Sequence, residues 1–321
     1  MIYGAGGIGA ALGAYLHEAG FPTVVIARGA HLEAIQQRGL TLMSGAEERN
    51  VRVPAAGHPG ELQWGADDCV SLAMKAQDTE MALRDLIAAG ADPDHTPIFC
   101  VQNCICNEPL AARYFARVYG VMIVIPGSYL EPGVVYNPIV GNHGYMDVGC
   151  YPTGADATAA AYVDAVRAAG YGANLHEQVM ASKGSKFLGN LGNAMEAITD
   201  GRGNSGPYME RVRDEARTCL RAAGLPFEAS DTFEARIRAN RGRNVEMEGN
   251  RKRGSSWQSL QRQQGTIETD FLNGEVVLLG RIHGIPTPFN RVLQRIAGEM
   301  ARNREMPGRY SAEELGEMAA G

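Results

Sequence analysis

The amino-acid sequence predicts an α/β fold, in which a doubly wound sheet is followed by an all-helical C-terminal domain. In the first half, short β-branched segments alternate with helical patterns, as in a parallel sheet covered by helices on both faces. From about residue 177 onward the pattern is almost entirely helical. The length of 321 residues suits two domains. The change of pattern predicts a first domain over residues 1–174 and a second over residues 175–321.

The first domain is predicted to alternate strands and helices. A short N-terminal strand leads into a glycine-rich turn and an apolar helix that ends at Gly20. Further strands are expected over residues 22–27, 40–43, 51–53, 69–74 and 98–102. Helices are expected over residues 30–38 and 78–89. Between residues 118 and 151, short segments broken by Gly, Pro and Asn predict an antiparallel extension, and a helix over 156–169 with a strand over 173–176 follows.

The second domain is predicted to consist of helices. They are expected over residues 177–199, 206–224, 228–240, 255–262, 266–283 and 288–303. The clearest breaks are Gly224-Leu225-Pro226 and Gly284-Ile285-Pro286, since glycine and proline end helices.

Composition and charge exclude several classes of protein. The chain is 45% hydrophobic and 21% charged, which is typical of a globular protein. Its net charge of −6 argues against a general nucleic-acid binder. No apolar segment approaches the roughly 18 residues that cross a bilayer, so no membrane partner is expected. The six cysteines at irregular spacing predict reduced thiols in a cytoplasmic protein.

The glycine-rich turn predicts a dinucleotide-binding site. It matches the pattern G-x-G-x-x-G with the residues Gly4, Ala5, Gly6, Gly7, Ile8 and Gly9. In such a turn the first glycine allows the bend, the second lets the backbone approach a pyrophosphate at the helix N-terminus, and the third allows close helix–strand packing. The strand before it and the helix and strand after it favour a Rossmann-type sheet over a tight turn without a ligand. Only three residues precede Gly4, so either the first strand is short or the natural start lies upstream.

The end of the second predicted strand indicates which dinucleotide binds. An NAD-dependent enzyme usually has an acidic residue there for the ribose 2′-hydroxyl, whereas this chain has Arg28. A guanidinium suits the additional 2′-phosphate of NADP(H), with His31 as a candidate second contact. We therefore predict NADP(H) rather than NAD(H). The alternative is that Arg28 is a solvated surface cation.

Polar side chains recur at helical spacing in the first helix of the second domain. They share one predicted face and are Lys183, Lys186, Asn190 and Asn193. The same helix contains three glycines, which suggest the close approach of a backbone or a ligand and are Gly184, Gly189 and Gly192. The alternative is that the polar stripe is only a solvated helix face.

Further candidate residues follow strands or begin later helices. Lys75 and Asn103 each follow a predicted strand, and the carboxyl ends of parallel strands face the ligand in a doubly wound sheet. Downstream, Ser256 begins one predicted helix, and Glu268 lies in the first turn of another that Thr266 can cap. Each of these residues has a structural alternative, either as a polar residue that leaves a strand or as ordinary helix capping.

The chain resembles the ketopantoate reductase (2-dehydropantoate 2-reductase) family along nearly its whole length. The matching segments are GAGGIG at 4–9, ARGAHL at 27–32, MKAQDT at 74–79, QNCICNE at 102–108, SKFLGN at 185–190, SSWQSL at 255–260 and IETDFLNG at 267–274. The resemblance implies a Rossmann-type NADP domain, a helical domain and an active site between them. It further implies NADPH-dependent reduction of a 2-keto acid, with ketopantoate as the leading candidate. Lys75 and Asn103 resemble residues beside the nicotinamide ribose.

The resemblance also implies roles for individual residues of the second domain. Lys186 resembles the family's catalytic lysine, and Glu268 resembles the carboxylate that orients this lysine and the substrate. Asn190 and Ser256 resemble the residues that hold the substrate's hydroxyl and carboxylate. In the implied reaction a hydride passes from the nicotinamide to the ketone carbon, and the ammonium of Lys186 polarises the carbonyl oxygen and then protonates the alkoxide.

Two positions depart from the family pattern and leave the substrate open. Cys104 stands where the family usually has glycine, which adds bulk beside the expected nicotinamide. A second asparagine is expected one turn after Asn190, at a position that is Ala194 here, and we place the adjacent Asn193 among the substrate-binding residues. The alternatives are therefore the same chemistry on a different 2-keto acid, or a non-catalytic NADP-sensing protein. A homodimer is a further candidate arrangement.

Two other features of the sequence, a group of cysteines and a run of basic residues, are interpreted as structural rather than functional. Cys100, Cys104 and Cys106 have no fourth ligand nearby and lack the paired spacing of zinc sites, so we predict no metal. The basic run from Arg236 to Arg253 is interleaved with acidic residues. It predicts a solvated surface, from which one member could reach an anionic ligand.

Overall fold

The structure is a computed structural model that describes residues 1–45, 47–129, 131–245 and 253–320. Its strands are β1 (Ile2–Tyr3), β2 (Val25–Ile26), β3 (Leu40–Ser44), β4 (Glu47–Val51), β5 (Ala55–Ala56), β6 (Val70–Leu72), β7 (Ile98–Cys100), β8 (Val118–Val124), β9 (Val134–Tyr136), β10 (Ile139–Val140), β11 (Tyr145–Cys150), β12 (Gly172–Leu175) and β13 (Arg243–Asn244). Its α-helices are α1 (Gly7–Glu18), α2 (Gly29–Arg38), α3 (Thr79–Ala88), α4 (Asn107–Ala111), α5 (Ala157–Ala168), α6 (Val179–Asn190), α7 (Gly192–Thr199), α8 (Gly206–Ala222), α9 (Ser230–Asn240), α10 (Ser255–Gln261), α11 (Asn273–His283), α12 (Pro288–Arg302) and α13 (Ala312–Ala320). Short 3-10 helices span Pro59–Glu61, Ala76–Asp78 and Glu268–Phe271. Within the described residues, no helix combines the length and the apolar character that crossing a membrane requires.

The predicted α/β sheet is confirmed. Among the described residues, eight strands form one sheet in the order β12-β11-β8-β7-β6-β1-β2-β5. β1 lies between β2 and β6 and runs parallel to both, with Ile2 opposite Val25 on one side and Ser71 on the other. The strand order therefore reverses at β1, which is the position where a doubly wound sheet binds its ligand.

The predicted antiparallel extension is formed by β8 and β11. These strands pair from Tyr145 opposite Val124 to Cys150 opposite Tyr119, and β12 lies parallel to β11 on its other side. Every residue of β8 is buried, as expected for a strand covered on both faces.

The region between α2 and β6 differs from the prediction. Separate strands were expected over residues 40–43 and 51–53, but β3 and β4 form an antiparallel hairpin outside the main sheet, with Leu40 opposite Val51. The edge strand β5 then begins directly after Pro54. Pro54 has no N–H to donate to a ladder, but its carbonyl oxygen accepts a hydrogen bond from the backbone N–H of Val25 in β2 at 2.9 Å.

The chain divides into two compact units. The first comprises Met1–Lys183 and Glu228–Lys252, and the second comprises Gly184–Phe227 and Arg253–Gly321. The segment with α9 and β13 belongs to the first unit because β13 pairs with β10, a long-range contact that local pattern cannot show. Helix α6 begins in the first unit and ends in the second. The domain boundary at residue 174 stays a prediction, because units defined by contacts need not fold as separate domains.

The basic run is not a uniformly solvated surface. Arg236 of α9 donates to Glu228 at 2.6 Å and to Asp147 at 3.0 Å, and Asp147 is fully buried. The hydrogen bond to Glu228, together with Asp147, raises the pKa of Arg236 above its usual range. A buried carboxylate needs a paired cation, so the prediction of a solvated side chain is wrong for Arg236. Arg251 and Lys252 of this run lie outside the described residues.

Candidate active site

The glycine-rich turn joins β1 to α1 through close backbone contacts. Gly4 has a φ of +105°, and a Cβ on it would lie 2.6 Å from the backbone nitrogen of Met74, just beyond β6. A Cβ on Gly9 would lie 2.1 Å from the carbonyl oxygen of Gly4. Neither position has room for a side chain, so the bend and the helix–strand packing both require glycine.

The second glycine of the pattern faces open space. Gly6 is the N-cap residue of α1, and no heavy atom lies within 4 Å of the place where its Cβ would be. The first backbone N–H groups of a helix have no acceptor within the helix, and they favour negative charge. Because Gly6 has no side chain, those N–H groups are left accessible to an anion such as a pyrophosphate.

The loop after β8 also approaches the turn, which the sequence reasoning missed. A Cβ on Gly7 would lie 2.7 Å from the carbonyl oxygen of Gly127, and a Cβ on Gly127 would lie 2.5 Å from that of Gly7. The two backbones therefore pass each other where neither residue can carry a side chain. The doubled glycine at positions 6 and 7 was the available signal.

The predicted phosphate-binding cation lies at the start of α2. Arg28 is the N-cap residue of this helix and is exposed. Near it, burial raises the pKa of Tyr3 to about 12, with Asp85 adding to the rise and Arg28 opposing it. His31 is buried, and its Nδ1 accepts a hydrogen bond from the backbone N–H of Gly133 at 2.9 Å. Burial lowers the pKa of His31 and so disfavours a positive charge on this ring, and the contact of His31 with a 2′-phosphate stays a prediction.

Lys75 and Asn103 follow neighbouring strands at the same edge of the sheet. β6 and β7 are adjacent and parallel, and both residues are half-buried. Lys75 is the N-cap residue of the 3-10 helix Ala76–Asp78, and the carbonyl oxygen of Asn103 accepts a hydrogen bond from Asn107 at 2.8 Å. Since β1 is parallel to β6, the glycine-rich turn lies at this edge too.

The backbone at Cys104 explains why glycine is expected there. Its φ is +74° and its side chain is 2% exposed. A left-handed conformation costs a residue with a Cβ about 1 kcal/mol and costs glycine nothing. Cys100, Cys104 and Cys106 form no disulfide within the described residues. Among the described residues no three metal-ligating side chains form a cluster, and the expected lack of a metal stays a prediction.

Lys183 and Lys186, which were predicted to share a polar face, have different surroundings. Lys183 is 3% exposed, and its ammonium donates to the carbonyl oxygens of Cys100 and Gln102, each at 3.0 Å, and to the carboxylate of Glu108. Burial raises the pKa of Glu108, and Lys183 opposes that rise. Buried charges of opposite sign are tolerated only as a pair. The ion pair therefore fixes the first half of α6 to α4, and the two carbonyl hydrogen bonds fix it to the end of β7.

The sequence contained a signal for the burial of Lys183, although not for its partner. Lys183 lies four residues before Phe187, which is fully buried, and residues four apart lie on the same side of a helix. Of the three glycines in this region, Gly184 is required by packing, because a Cβ on it would lie 2.2 Å from the carbonyl oxygen of Pro226. A Cβ on Gly189 would meet nothing within 4 Å.

The remaining polar residues of the stripe lie in the second unit. Lys186 and Asn193 are half-buried and Asn190 is 8% exposed. The backbone N–H of Leu191 donates to Phe187 at 3.2 Å, so α6 and α7 are nearly continuous and Asn193 lies one turn beyond Asn190. The side-chain nitrogen of Asn190 is buried and has no hydrogen-bond acceptor in the described part of the chain.

Two further segments of the second unit carry candidate residues. α10 begins at Ser255, Ser256 is 1% exposed, and both hydroxyls are buried without a hydrogen-bond partner among the described residues. Glu268 is 5% exposed and begins a 3-10 helix. The N-cap residue of this 3-10 helix is Ile267, so the prediction that Thr266 caps it is wrong. Thr266 is exposed and lies one residue too early to cap this helix.

The candidate residues thus form two sets with complementary chemistry. The first unit holds the residues suited to a dinucleotide, which are Gly4, Ala5, Gly6, Gly7, Ile8, Gly9, Arg28, Lys75 and Asn103. The second unit holds the amine of Lys186, the carboxylate of Glu268 and hydrogen-bond donors on Asn190, Asn193 and Ser256. A Rossmann-type sheet with these groups defines a dinucleotide-dependent oxidoreductase.

The chain belongs to the ketopantoate reductase family. The sequence model of ketopantoate reductase PanE/ApbA matches residues 1–153, and the model of the family's C-terminal part matches residues 178–301. Members of this family are oxidoreductases that use NADPH. The predicted family, enzyme class and cofactor are therefore confirmed.

A sequence relative carries the name of this family, and two solved structures are similar in fold. The 2-dehydropantoate 2-reductase of Archaeoglobus fulgidus is 27% identical over 301 residues, which cover 91% of this chain and 94% of that protein. The structure of a ketopantoate reductase from Ralstonia eutropha has a TM-score of 0.78 at 24% identity and covers 95% of this chain and 99% of its own. A structure of D-mandelate dehydrogenase with NADH and anilino(oxo)acetate also has a TM-score of 0.78, at 20% identity, and covers 95% of this chain and 100% of its own. These two structures share the fold of this protein.

Two alanine substitutions separate ligand binding from packing at the glycine-rich turn. Gly9→Ala should lower the free energy of unfolding by about 1–3 kcal/mol, because its Cβ collides with the Gly4 carbonyl. Gly6→Ala should leave stability unchanged and weaken NADPH binding, because its methyl group enters the space assigned to the pyrophosphate. Thermal unfolding and titration of NADPH fluorescence measure the two effects. Parent-like NADPH affinity in Gly6→Ala would contradict the placement of the pyrophosphate.

Removing the buried ammonium should destabilise the protein strongly. Lys183→Met should lower the free energy of unfolding by about 3–5 kcal/mol, because it leaves Glu108 buried without its cation. The double variant with Glu108→Leu should regain part of that loss. Lys186→Met, one turn further on and half-buried, is the matched control and should change stability much less. Urea unfolding followed by circular dichroism measures all three, and equal midpoints for Lys183→Met and the parent would exclude a stabilising ion pair.

Proposed function

We propose that this protein reduces a 2-keto acid with NADPH and that 2-dehydropantoate (ketopantoate) is the first candidate substrate. The observation that carries the proposal is a pair of buried donors that have no acceptor among the residues the structure describes, the amide nitrogen of Asn190 and the hydroxyl of Ser256. Both belong to the same unit as Lys186. A buried donor without an acceptor costs about 1–3 kcal/mol. The oxygens of a bound 2-keto acid would remove that cost.

Lys186 is the proposed catalytic residue. When bound, NADPH supplies the hydride that reduces the ketone carbon. The ammonium of Lys186 donates a hydrogen bond to the carbonyl oxygen, stabilises the negative charge that develops there and transfers a proton to it. Glu268, which is 5% exposed, is proposed to orient that amine. Because water screens charge less inside a buried site, the cation acts more strongly there than in solvent.

The same chemistry on a different 2-keto acid is the second candidate. Cys104 adds a buried side chain where glycine is expected, and Ala194 is 1% exposed and supplies no polar group. A protein of the same fold, D-mandelate dehydrogenase, holds anilino(oxo)acetate, so the fold by itself does not specify the side chain of the acid. Membership in a family of enzymes favours either reductase over an NADP-sensing protein. A cytoplasmic location and a homodimer remain predictions from the sequence.

Lys186→Met should slow turnover strongly while leaving the cofactor bound. We expect kcat to fall about 10²- to 10⁴-fold, since a general acid contributes an effect of that size, with the NADPH dissociation constant within twofold of the parent. Lys186→Arg keeps the positive charge but does not release a proton near neutral pH, so it should remain nearly as slow. NADPH oxidation at 340 nm and NADPH fluorescence measure the two quantities.

The same assay decides between the candidate substrates. The parent is tested against ketopantoate and a panel of 2-keto acids that differ in side-chain size and in the presence of a hydroxyl group. The highest kcat/KM with ketopantoate supports the first candidate, and failure with ketopantoate but turnover of another acid supports the second. Parent-like turnover in Lys186→Met would reject the assignment of Lys186.

Arg28 is proposed to select NADPH over NADH. Charge-assisted hydrogen bonds contribute about 1.5–3 kcal/mol, which corresponds to roughly a 10- to 100-fold preference in affinity. Arg28→Ala should remove most of this preference by weakening NADPH binding, with NADH binding nearly unchanged. Arg38→Ala, which removes an exposed cation at the other end of α2, is the matched control and should keep the preference. Equal affinity of the parent for both cofactors would rule out this role.

A further inference from the structure

Glu196 of α7 holds the start of α10 in place. Its Oε2 accepts a hydrogen bond from the backbone N–H of Gly254 at 2.8 Å, and its Oε1 lies 3.5 Å from the guanidinium of Arg253. Gly254 is the N-cap residue of α10 and has no side chain with which to cap it. One carboxylate therefore contacts two consecutive residues immediately before Ser255.

The contact between α7 and this N-cap residue is tight. A Cβ on Gly254 would lie 2.7 Å from Oε2 of Glu196 and 3.1 Å from the side-chain oxygen of Asn193. Asn193 lies one helical turn beyond Asn190. The start of α10 is thus packed against the turn of helix that follows Asn190, and any shift of Gly254 would carry Ser255 with it.

A second set of contacts, made by Asp200, holds the segment from Arg253 to Trp257. The guanidinium of Arg253 lies 2.6 Å from the carboxylate of Asp200 and stacks over the ring of Trp257, with 5.3 Å between the guanidinium carbon and the ring centroid. The indole N–H of Trp257 donates to the same carboxylate at 3.2 Å. The residues on either side of the two serines are therefore anchored, whereas the serine hydroxyls themselves are buried without partners among the described residues.

We propose that Glu196 is a positioning residue for a carboxylate-binding site formed by Ser255, Ser256 and Asn190. By fixing the backbone of Gly254, Glu196 holds the two hydroxyls towards the same acceptor as the Asn190 amide. That acceptor is the carboxylate of the 2-keto acid, whose two oxygens can accept all three hydrogen bonds. This inference rests on the proposed function. It adds Ser255 to the substrate-binding residues and assigns Glu196 as the residue that positions them.

The test separates substrate binding from turnover. Glu196→Ala removes both contacts and should raise the KM for the 2-keto acid by about tenfold, the equivalent of one lost hydrogen bond. Its kcat should stay within about threefold of the parent, and its NADPH dissociation constant should not change. Glu196→Gln keeps an oxygen that can accept from Gly254 and should restore most of the KM. Ser255→Ala should raise the KM as well.

A purely structural role for Glu196 would lower thermal stability without this selective change in KM. Glu313→Ala is the matched control, because Glu313 also accepts a backbone N–H in the second unit, from Asn204 at 2.9 Å. It should leave the KM unchanged. If Glu196→Ala fails to fold, Gly254→Ala displaces the same carboxylate by its Cβ and should raise the KM in its place.

The outcomes distinguish this inference from the proposed function. If Ser256→Ala and Asn190→Ala raise the KM but neither Glu196→Ala nor Gly254→Ala does, the inference about Glu196 is wrong and the substrate site stands. If Ser256→Ala and Asn190→Ala leave the KM unchanged, the substrate site itself is wrong. A parallel rise in KM for the variants of Ser256, Asn190, Ser255 and Glu196 supports both.

Discussion

The buried ammonium of Lys183 is the interaction on which the placement of α6 depends. A charge inside a protein needs an opposite charge and full hydrogen bonding, and this amine has the carboxylate of Glu108 and two carbonyl oxygens at the end of β7. A rotation of α6 about its axis would withdraw the amine from all three acceptors. The part of the helix up to Lys183 is therefore held in one orientation within the first unit.

The shape of the glycine-rich turn at the end of β1 depends on a different constraint, which is the absence of side chains. Gly4, Gly9, Gly7 and Gly127 are required because backbones meet there, and a Cβ on any of them would lie less than 3 Å from a backbone atom. Gly6 is required for another reason, since its missing side chain leaves the N-terminus of α1 accessible. The close contacts hold the turn in shape, and this rigidity keeps the open position suitable for an anion.

Some polar groups of the second unit have hydrogen-bond partners among the described residues, whereas others have none there. The carboxylates of Glu196 and Asp200 have donors at the start of α10, whereas the amide nitrogen of Asn190 and the hydroxyl of Ser256 have no partner within the described residues. Buried polar groups in folded proteins are almost always paired. Unpaired donors held by well-paired neighbours are what a binding site for an acceptor-rich ligand requires, because the ligand then completes the hydrogen bonding without reorganising the protein.

The sequence by itself determined the features that arise from neighbouring residues. The glycine spacing located the turn from Gly4 to Gly9, alternation of elements predicted the parallel sheet, and strand ends marked Lys75 and Asn103. Lys183 and Lys186 are only three residues apart, and the tertiary structure decided which of them forms a buried ion pair. The partner of Lys183, Glu108, lies 75 residues away in the chain. The tertiary structure also decided that α9 and β13 join the first unit and that Glu196 anchors α10. Local periodicity reports which side of a helix is apolar, but a partner far along the chain is chosen only when the whole chain packs.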